Sequence, residues 1–186
     1  MFMIVLVGAS ASGKTEIAKI LYNKYKMVKA ITHTTRPQRK KEVNGVDYFF
    51  VSKDEFLHLE KQNAFVETTE YSGQFYGCTK AQVAQNKIVI VDPNGLRAFL
   101  NLNDKHIITF LISSDEGTRY ERMLRRGDNI EQALSRIKND RDEFHHLRVG
   151  YVHFEIINED NTLEQAADRV FRLYNSMLRN LNLKPK

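Results

Sequence analysis

The chain has 186 residues, of which 42% are hydrophobic and 27% charged, a composition typical of one globular domain. Its net charge of +5 indicates an anionic partner, without distinguishing nucleic acid, acidic lipid and nucleotide phosphate. The single cysteine, Cys78, excludes an internal disulfide framework and a Cys-rich zinc site, and it favours a reducing compartment. No apolar run approaches the roughly 18–20 residues that span a bilayer, and residues 2–7 are too short for a signal-peptide core. We therefore expect a cytoplasmic protein.

Short apolar runs alternate with amphipathic stretches along the chain. The apolar runs predict buried strands at residues 2–7, 88–91, 106–112 and 152–157. The amphipathic stretches predict helices at residues 14–25, 96–102, 115–126 and 162–181. This alternation indicates an α/β fold, in which helices cover both faces of a parallel sheet.

Residues 33–80 break this alternation. Aromatic and β-branched runs at residues 48–51 and 65–69 predict strands, and residues 52–62 predict one helix. Turn signals occur at Asn44-Gly45 and Ser72-Gly73. We interpret the segment as a small mixed-strand insertion. A second irregular piece, residues 125–129, separates two predicted helices, and residues 182–186 are expected to form a frayed tail.

Residues 8–15 match the pattern G-x-x-x-x-G-K-[ST] at every fixed position. The match follows a predicted strand and opens a predicted helix, which is the context that a phosphate-binding loop requires. Backbone N–H groups and the helix N-terminus would hold the anion, Lys14 would reach the β- and γ-phosphates of ATP, and Thr15 would bind Mg²⁺. The predicted ATP-phosphate-binding residues are Gly8, Ala9, Ser10, Ala11, Ser12, Gly13, Lys14 and Thr15.

Asp92 follows the apolar run at residues 88–91. The carboxyl ends of parallel strands form the edge at which ligands bind. A carboxylate there can help to hold Mg²⁺ through water or can bind a substrate group. The alternative is a turn residue before Pro93.

A basic stretch at residues 32–48 carries a second set of anion-binding side chains. Arg36 and Arg39 could grip one phosphate with their planar guanidinium groups, and Tyr48 could add a hydroxyl. A basic surface loop is the alternative, but it would require neither Tyr48 nor the Asn44-Gly45 turn.

Several motifs resemble those of guanylate kinases. The GMP-binding signature of that family is similar to Thr34-Thr35-Arg36, Arg39, Glu42, Asn44-Gly45 and Asp47-Tyr48. Further resemblance lies in residues 65–67, 71–77 and 90–95, in Arg125-Arg126-Gly127 followed by Arg136, and in residues 156–160. The match is collinear over about residues 3–175.

The resemblance implies one P-loop kinase domain over residues 1–186, with an inserted nucleoside-monophosphate-binding subdomain at about 33–80 and a lid at about 125–141. It implies phosphoryl transfer from Mg-ATP to GMP (or dGMP). We expect no nucleic-acid or membrane partner, and a monomer or homodimer. The implied GMP-binding residues are Thr32, Arg36, Arg39, Tyr48, Glu67, Tyr76, Cys78 and Asp92. The implied catalytic residues are Lys14, Arg126, Arg136 and Arg141, with Asn158 on the adenine side.

Glu67 also fits guanine on chemical grounds. Guanine presents two adjacent donors, N1–H and N2–H₂, which one carboxylate can accept together, whereas adenine presents an acceptor at N1. A solvated strand carboxylate is the alternative. The family has a serine at the position of Cys78 and an acidic residue at that of Ile90, and these two departures keep open a kinase for another nucleotide or small phosphate ester.

Two further functions are weighed against a kinase. Guanylate-kinase-like binding modules typically lack a working P-loop, whereas this chain keeps Lys14 and Thr15. A nucleic-acid binder would spread its arginines along one face. Arg119, Arg122 and Arg126 do share one face of a predicted helix, but a lid that converges on phosphates fits them better, and Arg119 is expected on a solvated face.

Overall fold

The computed structural model describes residues 3–71, 73–159 and 162–180. Five predictions therefore lie partly or wholly outside the described residues: the strand start at Phe2, the turn at Ser72, the end of the motif at Asp160, the helix end at Leu181 and the tail at residues 182–186. Within the described ranges, no helix has both the length and the apolar composition to cross a membrane.

Nine strands and seven α-helices follow one another along the described part of the chain. The strands are β1 (Met3–Val7), β2 (Val28–Lys29), β3 (His33–Thr34), β4 (Phe49–Phe50), β5 (Phe65–Tyr71), β6 (Gln74–Thr79), β7 (Lys87–Val91), β8 (Ile107–Ser113) and β9 (Phe154–Ile157). The helices are α1 (Lys14–Tyr25), α2 (Lys53–Lys61), α3 (Pro93–Asn101), α4 (Glu116–Arg125), α5 (Ile130–Glu143), α6 (His146–Val149) and α7 (Leu163–Asn180).

The central sheet has the strand order β2-β7-β1-β8-β9, and every pairing in it is parallel. Its middle strand is buried on both faces, which explains why residues 3–7 are continuously apolar. Ile4 and Leu6 pack with α1 and α7 on one face, and Val5 and Val7 pack with α3 on the other. The predicted α/β class with a parallel core is confirmed.

A second sheet of four strands, in the order β4-β3-β6-β5, is built from residues 33–79. It is mixed, because β3 pairs parallel with β4 and antiparallel with β6. Helix α2 begins as predicted, since Ser52 and Glu55 form a reciprocal capping box. The division of the chain into a nucleotide-binding insertion and a lid stays a prediction.

Helix α3 begins three residues before its predicted start. Asp92, for which a turn residue before Pro93 was the alternative, accepts the Gly95 N–H with its Oδ1 at 2.7 Å and caps the helix. Pro93 then takes the first helical position, where its missing N–H costs nothing.

Strand β6 was not predicted from the sequence. It pairs with β3 on one side and β5 on the other, but its polar residues and Gly77 interrupt the apolar pattern that would have indicated a strand.

Candidate functional site

The loop at residues 8–15 joins β1 to α1 at the carboxyl edge of the central sheet. Its glycines are required by the close approach of other strand ends. A Cβ on Gly8 would lie 2.3 Å from the carbonyl oxygen of Ile112, and one on Gly13 would lie 2.2 Å from Asn158 Nδ2. Gly13 also has a φ of 94°, a left-handed conformation that favours glycine.

A cavity of about 470 Å³ opens beside this loop. Lys14 and Thr15 line it from the start of α1, and Arg122, Arg125 and Arg126 line it from the end of α4. The structure thus brings together the predicted phosphate-binding lysine, the predicted Mg²⁺ ligand and one predicted catalytic arginine. The positive charge and the open N-terminus of α1 suit the cavity to a polyphosphate.

Lys14 Nζ donates a hydrogen bond to the carbonyl oxygen of Ala9 at 2.9 Å. The pKa of Lys14 is lowered to about 8, mainly by burial; Asp140 opposes this shift, and the positive charges of Arg119 and Arg126 contribute to it. A phosphate beside Lys14 would favour the charged form of the amine. The pKa of Lys14 is therefore expected to rise when an anion binds.

The hydroxyl of Thr15 is a hard oxygen ligand of the type that Mg²⁺ prefers. The described residues contain no group of three or more His, Cys, Asp or Glu side chains that could hold a metal ion by themselves. Thr15 and the loop therefore fit a metal that arrives with the phosphates and water. Asp92 follows Val91, which pairs with Val7, so Asp92 lies next to the start of the loop.

Two of the predicted catalytic arginines converge on one carboxylate after α4. Arg126 forms two bonds to Asp128, at 3.1 and 2.6 Å, and Arg136 Nη1 lies 3.9 Å from the same residue. The bond from Arg126 holds the pKa of Asp128 below its usual range. The two guanidinium groups therefore lie beside one carboxylate, and their catalytic role stays a prediction.

Arg141 pairs with a different carboxylate in this structure, and its catalytic role stays a prediction. Its guanidinium forms two bonds to Glu116, at 2.9 and 2.6 Å, and it does not line the cavity beside the phosphate loop. Arg141 lies five residues after Arg136 on α5, and this spacing turns its side chain away from that of Arg136.

The prediction that Arg119 lies on a solvated helix face is wrong. Arg119 is 4% exposed, and its Nη1 lies 2.7 Å from Asp140 Oδ2 on α5. Asp140 also accepts the Ser10 N–H of the loop at 2.9 Å. Sequence reasoning missed Asp140, although it shares a helical stripe with Ala133 and Ile137, both of which are buried.

Asn158 is completely buried beneath the phosphate loop, where its Nδ2 donates to the Ser12 carbonyl at 2.7 Å. Within the described part of the chain, Asn158 Oδ1 and Ser12 Oγ have no hydrogen-bond partner. Asn158 therefore supports the backbone of the loop, whereas the sequence predicted contact with the nucleotide itself.

The second sheet brings Arg36, Tyr48 and Tyr76 together. The guanidinium carbon of Arg36 lies 5.6 Å from the centre of the Tyr48 ring, and the two tyrosine rings are 6.2 Å apart. Glu42 accepts from Arg36 Nη2 at 2.7 Å and from the Arg39 N–H at 2.8 Å. Glu42 was recognised in the motif but given no role, and it orients both arginine positions.

Glu67 lies at an irregularity in β5, where its Oε1 accepts the Cys78 N–H at 3.0 Å. Burial and the negative charge of Asp92 raise the pKa of Glu67 to about 7, against the lowering effect of the Cys78 bond. The influence of Asp92 on Glu67 indicates that these two predicted GMP-binding carboxylates share one region. Thr32 is half-buried, and its carbonyl accepts the Phe49 N–H.

Cys78 does not present its side chain to this region. The residue is 0% exposed and packs in the core with Val5, Val91 and Leu96. Its backbone N–H, and not its thiol, contacts Glu67. The predicted contact between the thiol and guanine stays a prediction.

Comparisons with known proteins agree with these motifs. A family model described as guanylate kinase matches residues 1–177. A guanylate kinase of Anaplasma phagocytophilum (strain HZ) is 33% identical over 90% of this chain and 83% of its own length. One from Syntrophus aciditrophicus (strain SB) is 30% identical over 93% of this chain and 85% of its own length.

The fold gives the same result. A crystal structure of guanylate kinase from Anaplasma phagocytophilum matches with a TM-score of 0.69 and 27% identity, over 94% of this chain and 85% of that chain. The match includes both sheets, since it spans nearly the whole chain. The chain therefore belongs to the guanylate kinase family, whose reaction is the transfer of a phosphoryl group from ATP to GMP.

Proposed function

We propose that this chain phosphorylates GMP (or dGMP) with Mg-ATP, giving ADP and GDP. The observation that carries the proposal is the cavity beside the phosphate loop, where Lys14, Thr15 and Arg126 meet. Oriented backbone groups and fixed cations are the main means by which a protein assists phosphoryl transfer, because the reaction needs positioning and charge neutralisation above all.

On the donor side, the loop at residues 8–15 binds the phosphates of ATP. Lys14 neutralises charge on the β- and γ-phosphates, and its ammonium hydrogen bond to Ala9 gives way to phosphate oxygens. Thr15 supplies a hydroxyl ligand to Mg²⁺, with Asp92 acting through water. Mg²⁺ supplies further charge neutralisation when it is bound with ATP.

On the acceptor side, Arg36, Arg39, Tyr48 and Tyr76 bind the phosphate of GMP. The proximity of Arg36 to the Tyr48 ring, the neighbouring Tyr76 ring and the anchoring of Arg36 by Glu42 support this role. Glu67 accepts the N1–H and N2–H₂ groups of guanine, in its ionised form. Its position near Asp92, at the edge of the core, supports a buried base site.

During transfer, an oxygen of the GMP phosphate attacks the γ-phosphorus of ATP in line, and ADP leaves. Arg126 and Arg136 surround the transferred group once they exchange Asp128 for phosphate oxygens. We expect residues 125–141 to close over the site and exclude water, since an open site would hydrolyse ATP. The cytoplasmic location and the monomeric or dimeric state stay predictions.

A coupled assay of ADP release tests the proposal. Wild-type protein is given Mg-ATP with GMP, dGMP, AMP, UMP, CMP or simple sugar phosphates in turn. We expect rapid ADP release with GMP or dGMP and little with the others, and ADP release that is about 10²–10³ slower from Lys14→Ala. Equal rates with AMP and GMP would contradict guanine specificity, and ADP release without a phosphorylated acceptor would contradict the kinase reaction itself.

A further inference from the structure

A buried ion pair binds the N–H and the carbonyl of one residue of the phosphate loop. The side chains of Arg119 and Asp140 are 5% and 9% exposed. Asp140 Oδ2 accepts the Ser10 N–H at 2.9 Å, and Arg119 Nη1 donates to the Ser10 carbonyl at 3.2 Å. The hydroxyl of Ser10 adds a longer bond to Asp140 Oδ1 at 3.3 Å. The pair therefore binds both sides of the Ser10 residue and its side chain.

The same pair joins the two helices that carry the arginines proposed for transfer. Arg119 lies on α4, seven residues before Arg126, and Asp140 lies on α5, four residues after Arg136. Residues seven or four apart share one face of a helix. The pair thus holds the phosphate loop, the end of α4 that carries Arg126 and the face of α5 that carries Arg136 in fixed positions relative to one another.

Stability alone does not account for this arrangement. A buried ion pair is costly to desolvate, and apolar side chains of similar volume often stabilise a core equally well or better. Apolar side chains, however, would leave the N–H and the carbonyl of Ser10 without these partners. An apolar pair therefore cannot replace the charge-assisted hydrogen bonds that Arg119 and Asp140 make to Ser10.

We infer that Arg119 and Asp140 are a positioning pair, which holds the Ser10 peptide in the conformation that binds nucleotide phosphates and sets the lid arginines relative to it. The inference rests on the proposed function for the identity of the anion. The pair contributes opposite charges, so it orders the loop without adding net charge beside Lys14.

The test compares wild type with the double variant Arg119→Leu/Asp140→Ala and with Asp140→Asn. Glu116→Gln is the matched control, because the ion pair of Glu116 with Arg141 also joins α4 to α5 but is exposed and is not bonded to the loop. The measurements are the thermal midpoint, the dissociation constant of Mg-ADP by isothermal titration calorimetry, and kcat with the KM values for ATP and GMP.

We expect the double variant to fold and to bind Mg-ADP about tenfold or more weakly than wild type, because the charge-assisted bonds that order a binding loop are lost. The KM for ATP should rise in parallel, and the KM for GMP should stay within about twofold, since the acceptor site is built from the second sheet. Asp140→Asn keeps one acceptor oxygen for the Ser10 N–H and should fall between wild type and the double variant. Glu116→Gln should bind Mg-ADP like wild type.

A double variant with native stability, native Mg-ADP affinity and native kcat would overturn the inference, because the pair would then be structural only. If the double variant does not fold, the measurements on Asp140→Asn test the inference instead. Unchanged Mg-ADP affinity and unchanged kcat in Asp140→Asn would also overturn the inference. A wild-type protein that binds Mg-ADP but does not phosphorylate GMP would contradict the proposed function instead, and the calorimetric comparison would still test the pair.

Discussion

The affinity for GMP is expected to fall in mild acid, because Glu67 must be ionised to accept both donors of guanine. The pKa of Glu67 is about 7, raised by burial and by the charge of Asp92. For one titrating carboxylate, the apparent dissociation constant exceeds its limiting value about twofold at pH 7 and about elevenfold at pH 6. A carboxylate with an ordinary pKa near 4.5 would change affinity by less than about 5% at pH 6.

The assay is GMP binding by calorimetry between pH 6 and pH 8.5, for wild type and for Glu67→Gln. The phosphate of GMP also titrates near pH 6, at about the value typical of phosphate monoesters, but it does so equally with both proteins. The amide in Glu67→Gln does not titrate. The ratio of the two dissociation constants therefore isolates the carboxylate.

We expect wild type to bind GMP more than about tenfold more tightly than Glu67→Gln at pH 8, because a charge-assisted bond is replaced by a weaker one and by an unfavourable amide contact. That advantage should shrink about tenfold between pH 8 and pH 6. Parallel pH profiles for the two proteins would refute the reasoning, since they would show either that Glu67 does not contact the base or that its environment leaves its pKa ordinary.

Three other outcomes are expected. Lys14→Ala should lower kcat by about 10²–10³ while keeping the fold, measured by ADP release and circular dichroism, and near-native kcat would contradict its role. Arg39→Ala should raise the KM for GMP about tenfold or more and leave that for ATP nearly unchanged; an equal rise in both would mean that the two phosphate sites are assigned wrongly. At pH 8, Mg-ADP binding should take up about half a proton, because phosphate raises the pKa of Lys14 from about 8. Lys14→Arg is the control and should abolish that uptake, as measured by calorimetry in buffers of different ionisation enthalpy.

Local features of the sequence determined the elements of the fold. The apolar run of β1 is buried on both faces of the sheet, so each of its residues had to be hydrophobic. Helix α1 has its predicted bounds, because a phosphate-loop motif leads into it and its amphipathic pattern is local. Ser52 and Glu55 cap α2 through bonds between residues three apart. These features depend on residues that are close in sequence, so they can be predicted without the tertiary contacts. The motifs of the second sheet could be recognised for the same reason.

Only the tertiary structure decided which polar residues are buried and what they contact. Arg119 and Asp140 are 21 residues apart in sequence and meet through the packing of α4 on α5, which the helical pattern of Arg119, Arg122 and Arg126 does not reveal. Cys78 enters the core because its side of β6 packs in a cluster with Val5, Val91 and Leu96, and a motif match carries no information on which side of a strand is covered. The raised pKa of Glu67 likewise depends on burial and on Asp92, which is remote in sequence. Desolvation and long-range charge are properties of the packed chain, so the sequence determined the chemical groups of the site and the fold determined their charges and their contacts.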